Sequence, residues 1–340
     1  MMMKLLLFKE KLKEFYAKYD IYINPVIKFL LAFLSLWMLR TNLGYMTRFN
    51  SLAVILVVSL LCSLLPIGAV VLFSAIFMLG HIYALSLEAF LVCLILFGIM
   101  FFAYYVFKPG DSIILVLVPL LFWLKMPHLV PLVLGLSATA LSAVPAGFGT
   151  IIYYMITAVK QNAAALTETE TSSMLTRFQL MVDQTVANRA AWIMIMAFAV
   201  TIVLVYIIRR LSVPHSWKIA VGVGAIAEIA IILVGMTILQ VSRTNFPVVS
   251  MGIGIVVSVL LSLVLEFFLF SVDYNRTEYV QFEDDDYYYY VKAVPKLTVT
   301  PPQREVKRFA VNSKGREQGL SETVDLGEDV RELMNETDEK

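Results

Sequence analysis

Residues 190–208, AAWIMIMAFAVTIVLVYII, carry no charge at all, and about 20 such residues are what an α-helix needs to cross the ~30 Å hydrocarbon core of a bilayer. Similar blocks occupy 219–239 and 248–272, and from Pro25 onward apolar blocks follow one another with few interruptions. Only 16% of the chain is charged, well short of the ~25% usual in soluble domains. The sequence therefore specifies an all-α polytopic membrane protein whose partner is the lipid bilayer, with six to eight membrane segments.

Charge then sets the orientation. Residues 1–50 hold eight Lys/Arg against three acids, whereas 273–340 hold ten against sixteen. By the positive-inside rule the Lys-rich start is cytoplasmic, as is the loop with Arg209, Arg210 and Lys218. The last two spans then return the C-terminus to the cytoplasm, and the loop 160–189 lies outside. Arg40 and Arg48 on the outer side run against the rule. The expected location is the plasma membrane.

The organisation follows from these breaks. Residues 1–22 place Phe8, Leu12, Phe15 and Tyr19 on one helical stripe among lysines, as in an interfacial helix. Residues 23–160 form a first membrane bundle, 161–189 a polar loop, and 190–272 a three-helix bundle. Residues 273–300 read as an acidic, Tyr-rich β-hairpin, with β-prone runs at 277–282 and 287–294. Residues 301–340, polar and Pro-punctuated, read as a disordered tail with a short helical tendency at 328–336.

Two pairs of apolar segments are too short to span. Segments 51–64 and 67–80 are split by Pro66, and 112–124 and 128–143 by Pro127. Around 14 residues give about 21 Å of helix. Each pair is either one kinked span or a re-entrant pair, and re-entrant backbone survives only where protein or water surrounds it. Aligning Ser51 with Ser112 superposes Leu56, Val57, Leu60 and Pro66 on Leu117, Val118, Leu121 and Pro127. Five matches in sixteen positions are a weak signal of an inverted repeat of the transporter kind.

Few groups are available for chemistry. Glu228 lies about 15 Å along its helix from Lys218, where a carboxylate is costly unless protonated, paired or facing water. Gly222, Gly224, Ala225 and Ala227 around it admit a close neighbour. It is either a proton- or cation-coupling group or a buried pair that fixes packing. Lys125 and His128 flank Pro127; at a re-entrant tip they would face an anion or Glu228, and at an ordinary turn they rest at the interface. Pro145, Gly147 and Gly149 mark a stretch where a helix can unwind and expose backbone to a substrate, or simply kink and pack. Asp284, Asp285 and Tyr287–Tyr290 are candidates for docking a cytoplasmic protein through an acidic turn and a strand edge.

Nothing in the sequence calls for a catalytic set, a metal, a cofactor or nucleic acid, and an ATP-driven role would need a separate ATPase subunit. Two functions remain. One is a permease-like transport protein for a small solute or ion, with Glu228, Lys125/His128 and the 144–150 stretch along the pathway. The other is a non-transporting membrane subunit that recruits a complex through 273–340. A water-accessible cavity at Glu228 favours the first; a sealed, paired Glu228 favours the second. A homo-oligomer is compatible with both.

Overall fold

A computed structural model describes residues 2–107, 110–167, 174–211, 213–242, 248–269, 278–283 and 288–293. Six of its helices are long and apolar enough to cross a membrane, and three shorter apolar helices accompany them. The chain is an all-α integral membrane protein.

Helix α1 (Met2–Asn42) is one helical run bent at Tyr19, whose φ/ψ of −112°/19° is non-helical. The N-terminal arm is thus continuous with the first span rather than a separate surface helix. Its stripe of Phe8, Leu12, Phe15 and Tyr19 is exposed, as an interfacial face would be, but Lys9 is buried. The Lys9 ammonium donates to the Phe267 carbonyl at 2.7 Å, at the end of the last described helix. The N-terminal arm and the end of α12 therefore meet at one end of the bundle.

Helices α2 (Leu52–Leu64) and α3 (Gly68–Leu85) follow, with α2 lying along α1. Helices α4 (Leu87–Phe107), α5 (Ile114–Trp123) and α6 (Leu129–Ser137) come next. A 3-10 turn at Ala140–Ser142 leads into α7 (Ala143–Gln161). The stretch expected to be a polar loop is largely helical: α8 (Ala163–Thr167) and α9 (Met174–Thr185). Met181 is fully buried there, with Leu180 and Val182 packed behind it, so one apolar face overrides the polar composition. Helices α10 (Arg189–Arg209), α11 (Ser216–Ile238) and α12 (Val248–Leu269) complete the apolar part.

Two apolar cores hold these helices. One joins α5, α6, α10, α11 and α12 through Val118, Leu132, Leu136, Phe198, Ile202, Val205, Val221, Ile232 and Ile255. The other joins α1, α3, α4, α7 and α9 through Leu36, Met78, Ile82, Val92, Met155 and Met181. Helix α7 belongs to both, giving Ala146 to the first and Ile152, Met155 and Val159 to the second. On the outside, Val249, Ile253, Val256, Leu260 and Val264 form an exposed apolar stripe along α12. Hydrocarbon is the solvent such a stripe requires.

Strands β1 (Glu278–Glu283) and β2 (Tyr288–Ala293) pair antiparallel, with Phe282 opposite Tyr289 and Gln281 opposite Tyr290. The acidic turn with Asp284, Asp285 and Tyr287 lies outside the described residues, as does the tail 301–340 with its helical tendency at 328–336.

Candidate functional site

Glu228 sits in the middle of α11 and is fully buried. The small residues before it explain how other helices come so near. A Cβ on Gly224 would collide with the Val205 side chain of α10 and meet Leu132 of α6 at 3.2 Å. The α6, α10 and α11 backbones therefore converge one turn from the carboxylate, as small-residue helix contacts in membranes do.

The partner of Glu228 comes from the break at Pro127. After α5 the chain turns back on itself. Lys125 adopts the left-handed φ of 63°, and the Met126 N–H reaches the Leu121 carbonyl at 2.8 Å. His128 then takes the N-cap position of α6 without spending its side chain on the cap. Its Nδ1 lies 2.8 Å from Glu228 Oε1. Gly254 of α12 closes the third side, since a Cβ there would stand 3.2 Å from His128 Cδ2. One proton between Nδ1 and Oε1 serves either an imidazolium–carboxylate or an imidazole–carboxylic acid, with the same geometry. Glu228 Oε2 is buried without a hydrogen-bond donor among the described residues. Among the described residues, the buried hydroxyls of Thr201 on α10 and of Ser258 and Ser262 on α12 are unpartnered too. Such atoms cost about 1–3 kcal/mol each when nothing satisfies them.

The other anticipated pathway residues are placed differently. Lys125 is exposed on the turn, whereas the carboxylate is fully buried. Pro145 falls in the first turn of α7, where the missing N–H would be unpaired anyway. Residues 144–150 stay helical, and the departure from helix comes earlier, at Ala138 and Thr139, both extended. The glycines serve close packing. A Cβ on Gly149 would meet Val118 at 2.6 Å and the Ile114 carbonyl at 3.2 Å, and one on Gly147 would meet Ile195 at 3.4 Å. Gly149 thus seats α5 on α7, and Gly147 seats α10.

Sequence reasoning used Arg209 for topology alone, yet it ties α10 to the end of α6. Its guanidinium donates to the Leu136 carbonyl and, at 2.6 Å, to that of Ala138. These are orphan carbonyls of a helix C-terminus. A second ion pair joins Arg177 of α9 to Glu88 of α4 at 2.9 Å, with Ser86 donating to the other carboxylate oxygen at 2.6 Å. His81 accepts the Met46 N–H at 3.0 Å.

Two cavities stand out among the described residues, and neither reaches Glu228. One, about 380 Å³, lies between α1, α3, α4, α5 and α7 and is lined almost wholly by apolar side chains. The other is a shallow groove of about 450 Å³ on α10 and α11, floored by Ile193, Ala230 and Gly235. On the strands, Tyr288 and Tyr289 are exposed.

Comparison with family models, with curated proteins and with solved structures finds no match to this chain.

Proposed function

We propose that the protein is a permease-like transporter of a small solute or ion, with the Glu228–His128 pair as its coupling group. The observation that carries this reading is the delivery of His128, on the turn between two short helices, to a carboxylate at mid-depth.

The depth follows from neighbouring contacts. Phe122, at the end of α5, stacks on Tyr153 at 4.2 Å and lies 5.9 Å from Phe198 between ring centroids. Phe198 is about 16 Å along α10 from Arg209, half of a ~30 Å core. The start of α5 is tied by Asp111 to Ser142 at 2.7 Å, and the end of α6 by Arg209. These contacts support reading α5 as running in from the Arg209 end and α6 as running back to it, a re-entrant pair with Lys125 and His128 at its tip. Discontinuous helices meeting a buried ionisable group near the midplane are how many secondary transporters build their sites. Lys9 meets the Phe267 carbonyl at the end of α12, and the positive-inside pattern supports reading that end of the bundle as the cytoplasmic one.

Glu228 is paired and sealed, which by itself counts for the second reading given below, so the transport reading requires this arrangement to be a closed state. Opening would separate the tip from α12 at Gly254, freeing Oε1 as well as Oε2 for a proton or cation. Lys125, exposed on the same tip, would offer a positive charge to an anionic group on that path.

The test is proton flux into vesicles reconstituted with the full chain and loaded with a pH-sensitive dye, under an imposed potential. Glu228→Gln should abolish flux or its pH dependence while expression and folding stay intact. A Glu228→Gln protein that loses only thermal stability would make the carboxylate a packing device and sink the reading.

The sealed pair and the exposed Tyr288 and Tyr289 favour a second reading, a non-transporting subunit that docks a cytoplasmic protein through its strand pair. A lone two-stranded sheet is marginal in water and gains from a partner. In that case deletion of 273–340 would lose a co-purifying partner, and Glu228→Gln would be nearly silent.

A further inference from the structure

The cavity of about 380 Å³ is a slot rather than a pocket for a polar solute. Its walls are Met38 and Leu39 of α1, Leu72 and Met78 of α3, and Phe97 and Phe101 of α4, among others. Two of its three hydroxyls are already used: Ser35 and Ser74 bond each other at 2.9 Å, and Ser35 also reaches the Ala32 carbonyl. The lining along α3 extends from Gly68 to Met78, about 15 Å of helix, which is the depth of one leaflet of a ~30 Å core. Leu72 and Phe101 are 60% and 71% exposed, so the slot opens sideways on helices that face hydrocarbon.

A charge lies beside the shallow end of the slot, just outside its lining. Lys28 lies on the same face of α1 as Ala32, Ser35 and Leu39, at helical spacing. Its ammonium donates to the Leu65 carbonyl at 3.1 Å, one turn before Gly68 at the mouth. That single bond leaves donors of the ammonium for another acceptor. Ser112, at the start of α5, also borders this end.

We propose that this slot holds one acyl chain of an anionic glycerophospholipid, with its phosphate at Lys28. The lipid would belong to the leaflet on the side where Lys9 meets the end of α12. The chain length and the lateral opening select a bilayer lipid, and the lysine at the mouth selects a negative headgroup. The inference does not depend on the transport reading.

The experiment is native mass spectrometry of the purified full chain, titrated separately with phosphatidylglycerol, phosphatidylcholine and a free fatty acid. The expected result is one lipid that survives delipidation, with phosphatidylglycerol retained best. Ala75→Phe, which fills the slot, should remove that lipid. Leu72→Trp, placed at the exposed mouth where it leaves the core packing alone, should do the same if Ala75→Phe fails to fold. Lys28→Gln should keep the lipid but cut the preference for phosphatidylglycerol over phosphatidylcholine by about fivefold. Retention unchanged in a folded slot-filling variant would overturn the proposal. So would indifference of headgroup preference to Lys28→Gln, or equal retention of the free fatty acid.

Discussion

His128 Nδ1 stands 2.8 Å from Glu228 Oε1 across a hundred residues of chain, and the contact joins a helix N-terminus to the middle of a span. Removing one member strands the other in a low-dielectric interior, whereas removing both strands neither. Glu228→Leu and His128→Leu alone should each destabilise the purified protein by about 3–5 kcal/mol. The double variant should recover much of that loss in a thermal-unfolding cycle. Strictly additive losses would show that the two groups do not act as a pair.

The glycines around this contact should divide sharply. Gly149→Val drives side-chain atoms into Val118 and the Ile114 backbone, and Gly224→Val drives them into Val205. Overpacking of this kind costs about 1–3 kcal/mol. Nothing lies within 4 Å of a Cβ on Gly222, so Gly222→Ala should leave the melting temperature in detergent unchanged. Equal sensitivity at all three positions would contradict this packing.

Arg209 holds two carbonyls with one planar fork, a geometry a lysine ammonium does not reproduce. Arg209→Lys should keep the topology but loosen the end of α6. The expected cost is about 1.5–3 kcal/mol, the worth of a hydrogen bond to a charged group. Hydrogen exchange should rise first at 136–142, where the Ser142 hydroxyl meets Asp111; a uniform rise across the chain would argue against a local tie.

The Arg177–Glu88 pair anchors α9 to α4 with side chains only 14% and 9% exposed, so it should exceed the roughly 1 kcal/mol ceiling of open surface pairs. Arg177→Glu should release α9, seen as faster exchange at 174–185 and easier proteolysis there. Adding Glu88→Arg should restore part of the protection. Full protection in the single variant would mean that Met181 and its apolar neighbours hold α9 by themselves.

The sequence was most legible where a single physical quantity decides the outcome. Uncharged blocks of span length, as at 190–208, can only be membrane helices, because the backbone must satisfy itself internally in hydrocarbon. Glu228 stood out for the same reason: a carboxylate in such a block needs a partner or water. The breaks at Pro66 and Pro127 marked where short helices end, because proline removes a donor and blocks the preceding turn.

Other features depended on neighbours that no local pattern reports. Residues 144–150 contain proline and two glycines, yet they remain helical, because the proline falls in the first turn and the glycines admit α5 and α10. Residues 174–185 are polar in composition, yet they fold as α9, because one face meets the second core and Arg177 finds Glu88. Composition and periodicity determined that this chain enters a bilayer, roughly how many times, and which lone carboxylate must be satisfied. Only tertiary packing decided that His128 satisfies it, that Lys125 does not, and that Arg209 is spent on carbonyls. Such choices rest on distances between segments far apart in the chain, set by how small and large side chains interlock across helices.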